Sequence, residues 1–163
     1  MRILVLVLSL VLAGCGFRLR GTADVPFDRV FIPDAAAGLA LDLKRGIERG
    51  TNAEVVDDPK AADAIVEFTE ESREKHILSL TAAGRVREFQ LRYRVGFRVH
   101  DGRGGAYVPQ DTILLTRDLT FNDAEILAKE AEEQLLFRDM QADMVQQILR
   151  RLAGARRPAA RAS

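Results

Sequence analysis

Cysteine is nearly absent from this sequence: Cys15 is the only one in 163 residues. A single thiol makes no internal disulfide, so the chain must hold together by core packing. Tryptophan is missing, aromatics are 6%, and 24 basic residues face 24 acidic ones. With no net charge, the general electrostatic pull toward nucleic acid is gone, so no nucleic-acid partner is expected and charge acts only locally. The two histidines, His76 and His100, sit in charged stretches with no cysteine and no i, i+4 partner. They are poor metal ligands on that pattern. No Gly-x-Ser-x-Gly elbow or P-loop is present. Gly102-Arg103-Gly104-Gly105 comes nearest, but the pattern after it is not helical, as phosphate binding would require. The carboxylates are scattered through charged faces, so nothing argues for catalysis or for a cofactor.

Long hydrophobic runs are also scarce, with one exception at the start. After Met1 and Arg2, Ile3 to Leu12 is aliphatic apart from Ser9. One positive charge followed by about ten apolar residues matches a secretory signal, whereas a spanning helix needs about twenty. The run closes on Leu12-Ala13-Gly14-Cys15, which resembles the lipobox of bacterial lipoproteins. The resemblance implies that residues 1–14 are a signal peptide cut before Cys15. It implies too that Cys15 is the lipid-attachment site, with diacylglycerol on sulfur and an acyl chain on the new amine. Each buried methylene adds about 0.8 kcal/mol, so several chains anchor firmly where one would not. The alternative makes Cys15 an ordinary buried thiol in a helical hairpin. Gly16 stands where an Asp, in lipoprotein sorting as the family implies it, retains a protein in the inner membrane; Gly favours the outer membrane.

Residues 15–28 read as a lipidated linker, 29–152 as one folded domain and 153–163 as a disordered tail. The tail has no large apolar residue to repay its ordering entropy. Its arginines either touch anionic lipid or are simply solvated. Within the domain, Arg29 to Pro33 reads as a short strand. Leu39 to Arg49 reads as a helix with Leu39, Leu43 and Ile47 on one face, stopping at Gly50. Asp57-Asp58-Pro59 is loop. Ala64 to Thr81 is strand-like, but its alternation breaks around Glu70–Lys75, as at a bulge or beyond a core. Glu88 to Asp101 is the clearest element, with Phe89, Leu91, Tyr93, Val95, Phe97 and Val99 at every odd position. That alternation means one buried and one wet face. Gly102–Gly105 reads as a hairpin turn. Ile113, Leu115, Leu119 and Phe121 continue the alternation, Arg117 excepted, and Pro109 fits a strand start or edge. Asn122 to Leu152 reads as a long helix, Asn122 and Glu125 forming a capping pair. Its stripe is Phe137, Met140, Met144, Ile148 and Leu152, thickened by Val145 and Leu149. At 1.5 Å per residue it is about 46 Å long, the length of a strand of fourteen residues at about 3.3 Å each, so it can lie along the sheet. The fold class is α+β: a two-layer sandwich with two helices packed on a four-stranded mixed or antiparallel sheet, in the order β-α-β-β-β-α.

In such a meander the turn before the clearest strand and the junction into the long helix share one end. Arg85 and Arg87 belong to that turn and Lys129 to the first turns of the helix. Bases beside a helix N-terminus favour phosphate or another anion, the alternative being charges that keep a loop soluble.

Cys15-Gly16-Phe17-Arg18-Leu19-Arg20-Gly21, directly after the lipobox, resembles the opening of the LPS-assembly lipoprotein family LptE. The similarity continues through Val25-Pro26, Glu88-Phe89-Gln90-Leu91 and Leu127-Ala128-Lys129-Glu130, up to about Leu152. Membership implies an outer-membrane lipoprotein facing the periplasm. It implies a heterodimer in which the chain plugs the β-barrel of the partner LptD and helps assemble it, and contact with lipopolysaccharide on its way to the cell surface. Lys129 matches the basic position that the family associates with that contact. The basic residue of the family's preceding loop falls near Ala82, where this chain has none; Arg85 and Arg87 follow three to five residues later. Arg92, Arg94 and Arg98, on the polar face of the clearest strand, are candidates for lining a polar barrel interior, or else an ordinary solvated face. Two rivals remain. A stand-alone periplasmic ligand-binding or chaperone lipoprotein calls for a concave apolar pocket, and a lipid-anchored enzyme for converging titratable groups in a cleft.

Overall fold

The computed structural model describes residues 23–158. The expected signal peptide, Cys15 and the Cys-Gly-Phe opening lie outside the described residues, as do residues 159–163. Five strands form one sheet in the order β2-β1-β3-β4-β5. They are β1 (Arg29–Phe31), β2 (Glu54–Val56), β3 (Ala64–Leu80), β4 (Val86–His100) and β5 (Ala106–Thr120), with helices α1 (Gly38–Gly50) and α2 (Ile126–Ala153). β1 runs parallel to both β2 and β3, while β3, β4 and β5 form an antiparallel meander. The α+β sandwich is as the periodicity implies, with one correction: the sheet has five strands rather than four. β2 is three residues long, Glu-Val-Val, too short to show alternation.

Period two decides which side of β4 is buried. Leu91, Tyr93, Val95, Phe97 and Val99 are fully buried beneath the helices. α1 contributes Leu39, Leu43 and Ile47, and α2 contributes Met140, Met144, Val145, Ile148 and Leu152. Gly50 is the last helical residue of α1, but Thr51 finishes the helix: its amide and its hydroxyl both donate to the carbonyl of Ile47 at 3.0 Å. The long helix starts later than its pattern implied. Asn122 accepts from the amide of Ala124 at 3.1 Å and caps a 3-10 turn, Asp123–Glu125, before α2 begins. α2 ends at Ala153, and the segment after it packs: Ala155 lies against the core and the Arg157 guanidinium donates to the carbonyl of Pro26 at 2.9 Å.

The broken alternation of β3 around Glu70–Lys75 starts at a bulge, and further register shifts follow at Ile77–Ser79 and Ser79–Leu80. Phe68 faces Phe97 and Glu70 faces Gly96, so Thr69 is one residue too many. An inserted residue in a period-two element exchanges the faces. Before it Ala64, Val66 and Phe68 point to the helices; after it Glu71, Arg73, Lys75 and Ile77 do, opposite Val95, Tyr93, Leu91 and Phe89. These polar inward residues meet α2 and the rings of the sheet. Lys75 pairs with Glu133 at 2.5 Å and lies 4.3 Å from the Phe89 ring centre; Arg73 bonds Gln141 and lies 4.8 Å from the Tyr93 ring. Cations over ring faces are favourable by about 0.5–1 kcal/mol when exposed. Arg117, the exception in β5, also faces inward and pairs with Asp143 at 2.5 Å, while Asp111 pairs with Arg151. Half-exposed pairs add little stability. Inward charges on the edge strand do discourage a further strand from adding there. Pro109 sits on this edge strand, where a missing amide is tolerated.

Gly96 is required for space rather than for backbone freedom. A Cβ there would lie 2.8 Å from the hydroxyl of the bulged Thr69, which Gln110 already holds at 2.7 Å. Gly96→Ala should therefore lower the unfolding free energy by about 1–3 kcal/mol, as overpacking does, in urea titrations of the folded chain. A second replacement, Thr69→Ala, should restore part of the loss.

Candidate functional site

The end of β3, the start of β4, the end of β5 and the start of α2 converge on one tip. The turn between β3 and β4 is closed by Thr81, whose amide donates to Arg85 at 2.7 Å and whose hydroxyl accepts from the amide of Arg85 at 3.1 Å. Gly84 takes a φ of +75°, open to glycine at no steric cost. The junction is held to this turn twice: the amide of Phe121 donates to the carbonyl of Arg87 at 2.8 Å, and Arg85 lies 3.7 Å from Asp123. The sequence-predicted bases Arg85, Arg87 and Lys129 are thus on one tip.

Their charges are not equally available. Lys129 pairs with Glu132 at 2.8 Å, is 3.4 Å from the hydroxyl of Thr120, and exposes 15% of its side chain. Arg85 is exposed and offset by Asp123. Arg87 is exposed and, among the described residues, has no carboxylate partner. The tip also carries apolar side chains that the periodicity did not flag: Ile77, Leu78 and Leu80 at the end of β3, and Ile126 and Leu127 at the start of α2 are all exposed. The available signal was Ile77-Leu78-Ser79-Leu80 falling beyond the Glu70–Lys75 charges, too far along β3 for the helices to cover. Clustered exposed apolar residues beside bases are the chemistry of an amphiphile's binding surface.

The second candidate surface is the sheet face away from the helices. Arg92, Arg94 and Arg98 form a row on β4, flanked by Glu67, Glu70 and Glu74 of β3. Arg98 bonds Glu67 at 2.6 Å, His100 approaches the same carboxylate at 3.3 Å, and Arg94 is 3.8 Å from Glu70. The Arg98 hydrogen bond first, with His100 adding to it, holds the Glu67 carboxyl below its ordinary range. Large apolar residues on this face include Ile65 and Leu114 and, at its β1–β2 end, Phe31 and Val56.

Catalytic geometry does not assemble at either surface. Among the described residues, no cluster of three or more histidine, cysteine or acidic side chains could hold a metal. No described helix is long and apolar enough to cross a membrane. The most perturbed group, the Tyr93 phenol, is pushed well above its usual range by burial and by its 2.7 Å bond to Glu71, beneath Arg73. It braces β4 against β3, beneath an arginine that Gln141 of α2 holds.

The chain is thus a two-layer α+β domain with one sheet face left uncovered and an amphiphilic tip. The family model for LptE, lipopolysaccharide-assembly, matches residues 23–152. The LPS-assembly lipoprotein LptE of Photorhabdus laumondii is 30% identical over 158 residues, covering 93% of this chain and 85% of the relative. That of Yersinia enterocolitica is 33% identical, covering 93% and 75%. Among solved structures, an uncharacterized lipoprotein B from Nitrosomonas europaea superposes with a TM-score of 0.71 at 47% identity, over 83% of this chain and 88% of its own. The rare lipoprotein B of Shewanella oneidensis gives 0.67 at 26%, over 78% and 95%. The chain belongs to the LptE family, and is a lipoprotein of lipopolysaccharide assembly.

Removing the Tyr93 hydroxyl tests the brace. Tyr93→Phe should cost about 1 kcal/mol at neutral pH, the worth of a hydrogen bond to a charged acceptor in a partly wet site. Because the folded phenol has the higher pKa, its contribution is complete below the unfolded value and fades as pH rises. The gap between the two proteins in urea unfolding should therefore shrink above about pH 10.

Proposed function

We propose that this chain is held on the periplasmic side of the outer membrane by acyl chains on Cys15. It plugs the LptD barrel, helps that barrel assemble, and contacts lipopolysaccharide at the tip bearing Arg85, Arg87 and Lys129. The observation that carries the plug is the free sheet face: an extended surface of charge-paired arginines and glutamates, suited to a polar lumen. The amphiphilic tip supports the second part, since lipopolysaccharide offers phosphates to the bases and acyl chains to Ile77, Leu78, Leu80, Ile126 and Leu127. A stand-alone ligand-binding role draws less support. Two clefts among the described residues, of about 560 and 630 Å³, are open rather than enclosed, and both carry charged side chains.

Charge reversal of Arg85, Arg87 and Lys129 together should weaken lipopolysaccharide binding by tenfold or more, each charge-assisted contact being worth about 1 kcal/mol or more at a partly desolvated site. Co-purification with LptD should persist. Arg87 should account for most of the loss. Binding that stays unchanged removes the tip and leaves the plug; a folded chain that fails to associate with LptD removes the plug.

The anchor has its own test. Mass spectrometry of the exported chain should find residues 1–14 gone and Cys15 acylated, and Cys15→Ala should abolish both changes. A free thiol on the exported chain contradicts the anchor.

A further inference from the structure

α1 and α2 run side by side, and between them lies an open groove of about 630 Å³ on the surface away from the sheet. Gly46 makes the approach possible, because a Cβ there would come within 3.1 Å of Val145 and of Leu149. The floor is apolar, from Gly46, Val145 and Leu149, and the walls carry Arg45, Arg49 and Arg150. Asp42, the acid of the groove, is engaged by Arg45 at 3.9 Å and by Gln141 at 2.5 Å. Arg49 and Arg150 have no carboxylate partner among the described residues. Both sit in last helical turns and offset the negative helix ends, but that role leaves their guanidinium donors unused.

The position of the groove says what it faces. Its rim includes Ala23, whose amide donates to the carbonyl of Gly50 at 2.7 Å and which bridges to Thr51. Cys15 precedes Ala23 by eight residues. Eight residues reach at most about 28 Å. The sheet is longer, since the fifteen residues of β4 span about 50 Å. An acylated Cys15 would therefore keep the groove end of the molecule within about 28 Å of the bilayer surface, a limit it does not set on the tip carrying Arg85.

We propose that the α1–α2 groove is a docking site for the headgroup of an anionic phospholipid in the leaflet that holds the Cys15 acyl chains. Arg49 and Arg150 take the phosphate, and Val145 and Leu149 meet the glycerol and first methylenes. The inference rests on the anchor proposed above and is independent of the plug and the tip.

The acylated mature chain, in neutral detergent and with its mass checked first, should be titrated with dihexanoyl phosphatidylglycerol, dihexanoyl phosphatidylcholine and inorganic phosphate. The readout is amide shifts of Gly46, Arg49, Leu149 and Arg150, with Arg85 and Arg87 as controls. The mass check tells a missing anchor from an empty groove. Phosphatidylglycerol should move the groove amides at concentrations at least about tenfold below those of the other two ligands. R49E/R150E should weaken this about 30-fold, from about fivefold per arginine near an anionic surface. R49Q/R150Q, which adds no acid at the helix ends, should weaken it less but in the same direction. Absent groove shifts, an equal response to phosphatidylcholine or phosphate, or unchanged binding in both variants would overturn the proposal.

Discussion

One-sided burial of β4 is the constraint on which the rest of the molecule depends. Its odd residues pack against α1 and α2, and no disulfide is possible within the chain to share the task. Period two then fixes the other face: once Leu91 through Val99 are inside, Arg92, Arg94 and Arg98 must be outside. The free polar face is thus not a separate feature to be explained. It is what remains of a long central strand when only one layer of helix is available to cover it.

The bulge at Thr69 extends the same logic. Without it, β3 beyond Phe68 would turn Glu70, Ser72 and Glu74 toward α2 and send Arg73 and Lys75 to the free face. With it, Arg73 and Lys75 lie over the rings of Tyr93 and Phe89, and the glutamates line up beside the β4 arginines. A single inserted residue therefore pairs charges on one face and seats cations over aromatic rings on the other. The individual pairs are half-exposed and contribute little to stability. Their effect is on arrangement: the free face holds a charge pattern in fixed register, which suits a large polar surface that has to match another.

Much of this was legible in residue order, and the limits have physical reasons. The helices, the β4–β5 hairpin and the buried stripe Met140, Met144, Ile148 and Leu152 follow from periods of 3.6 and two repeated several times. β2 was not legible because three residues repeat nothing. The break in β3 was visible as a broken pattern, but its position, Thr69, depends on the register with Gly96, which is long-range. At the tip, chain order was enough to bring Arg85, Arg87 and Lys129 together, since a meander returns alternate turns to one end. It could not give the pairing of Lys129 with Glu132 or of Arg85 with Asp123, which depends on side-chain reach. Nor could it show that Ile77, Leu78, Leu80, Ile126 and Leu127 stay exposed, because exposure follows from where the helix layer stops.

The two ends of the sandwich differ in their surface chemistry. At one end the chain leaves through Ala23 toward Cys15, beside a groove walled by arginines. At the other, strands longer than their helical cover leave apolar side chains and bases in water. Exposed apolar surface costs solubility, and an isolated periplasmic domain gains nothing from carrying it far from its anchor. With the proposed anchor at Cys15, it is useful if the far end works away from that leaflet, with an amphiphile as the group to be met there. The roughly 50 Å length of β4, about the thickness of a bilayer with its headgroups, makes that separation possible without a second domain or a flexible arm.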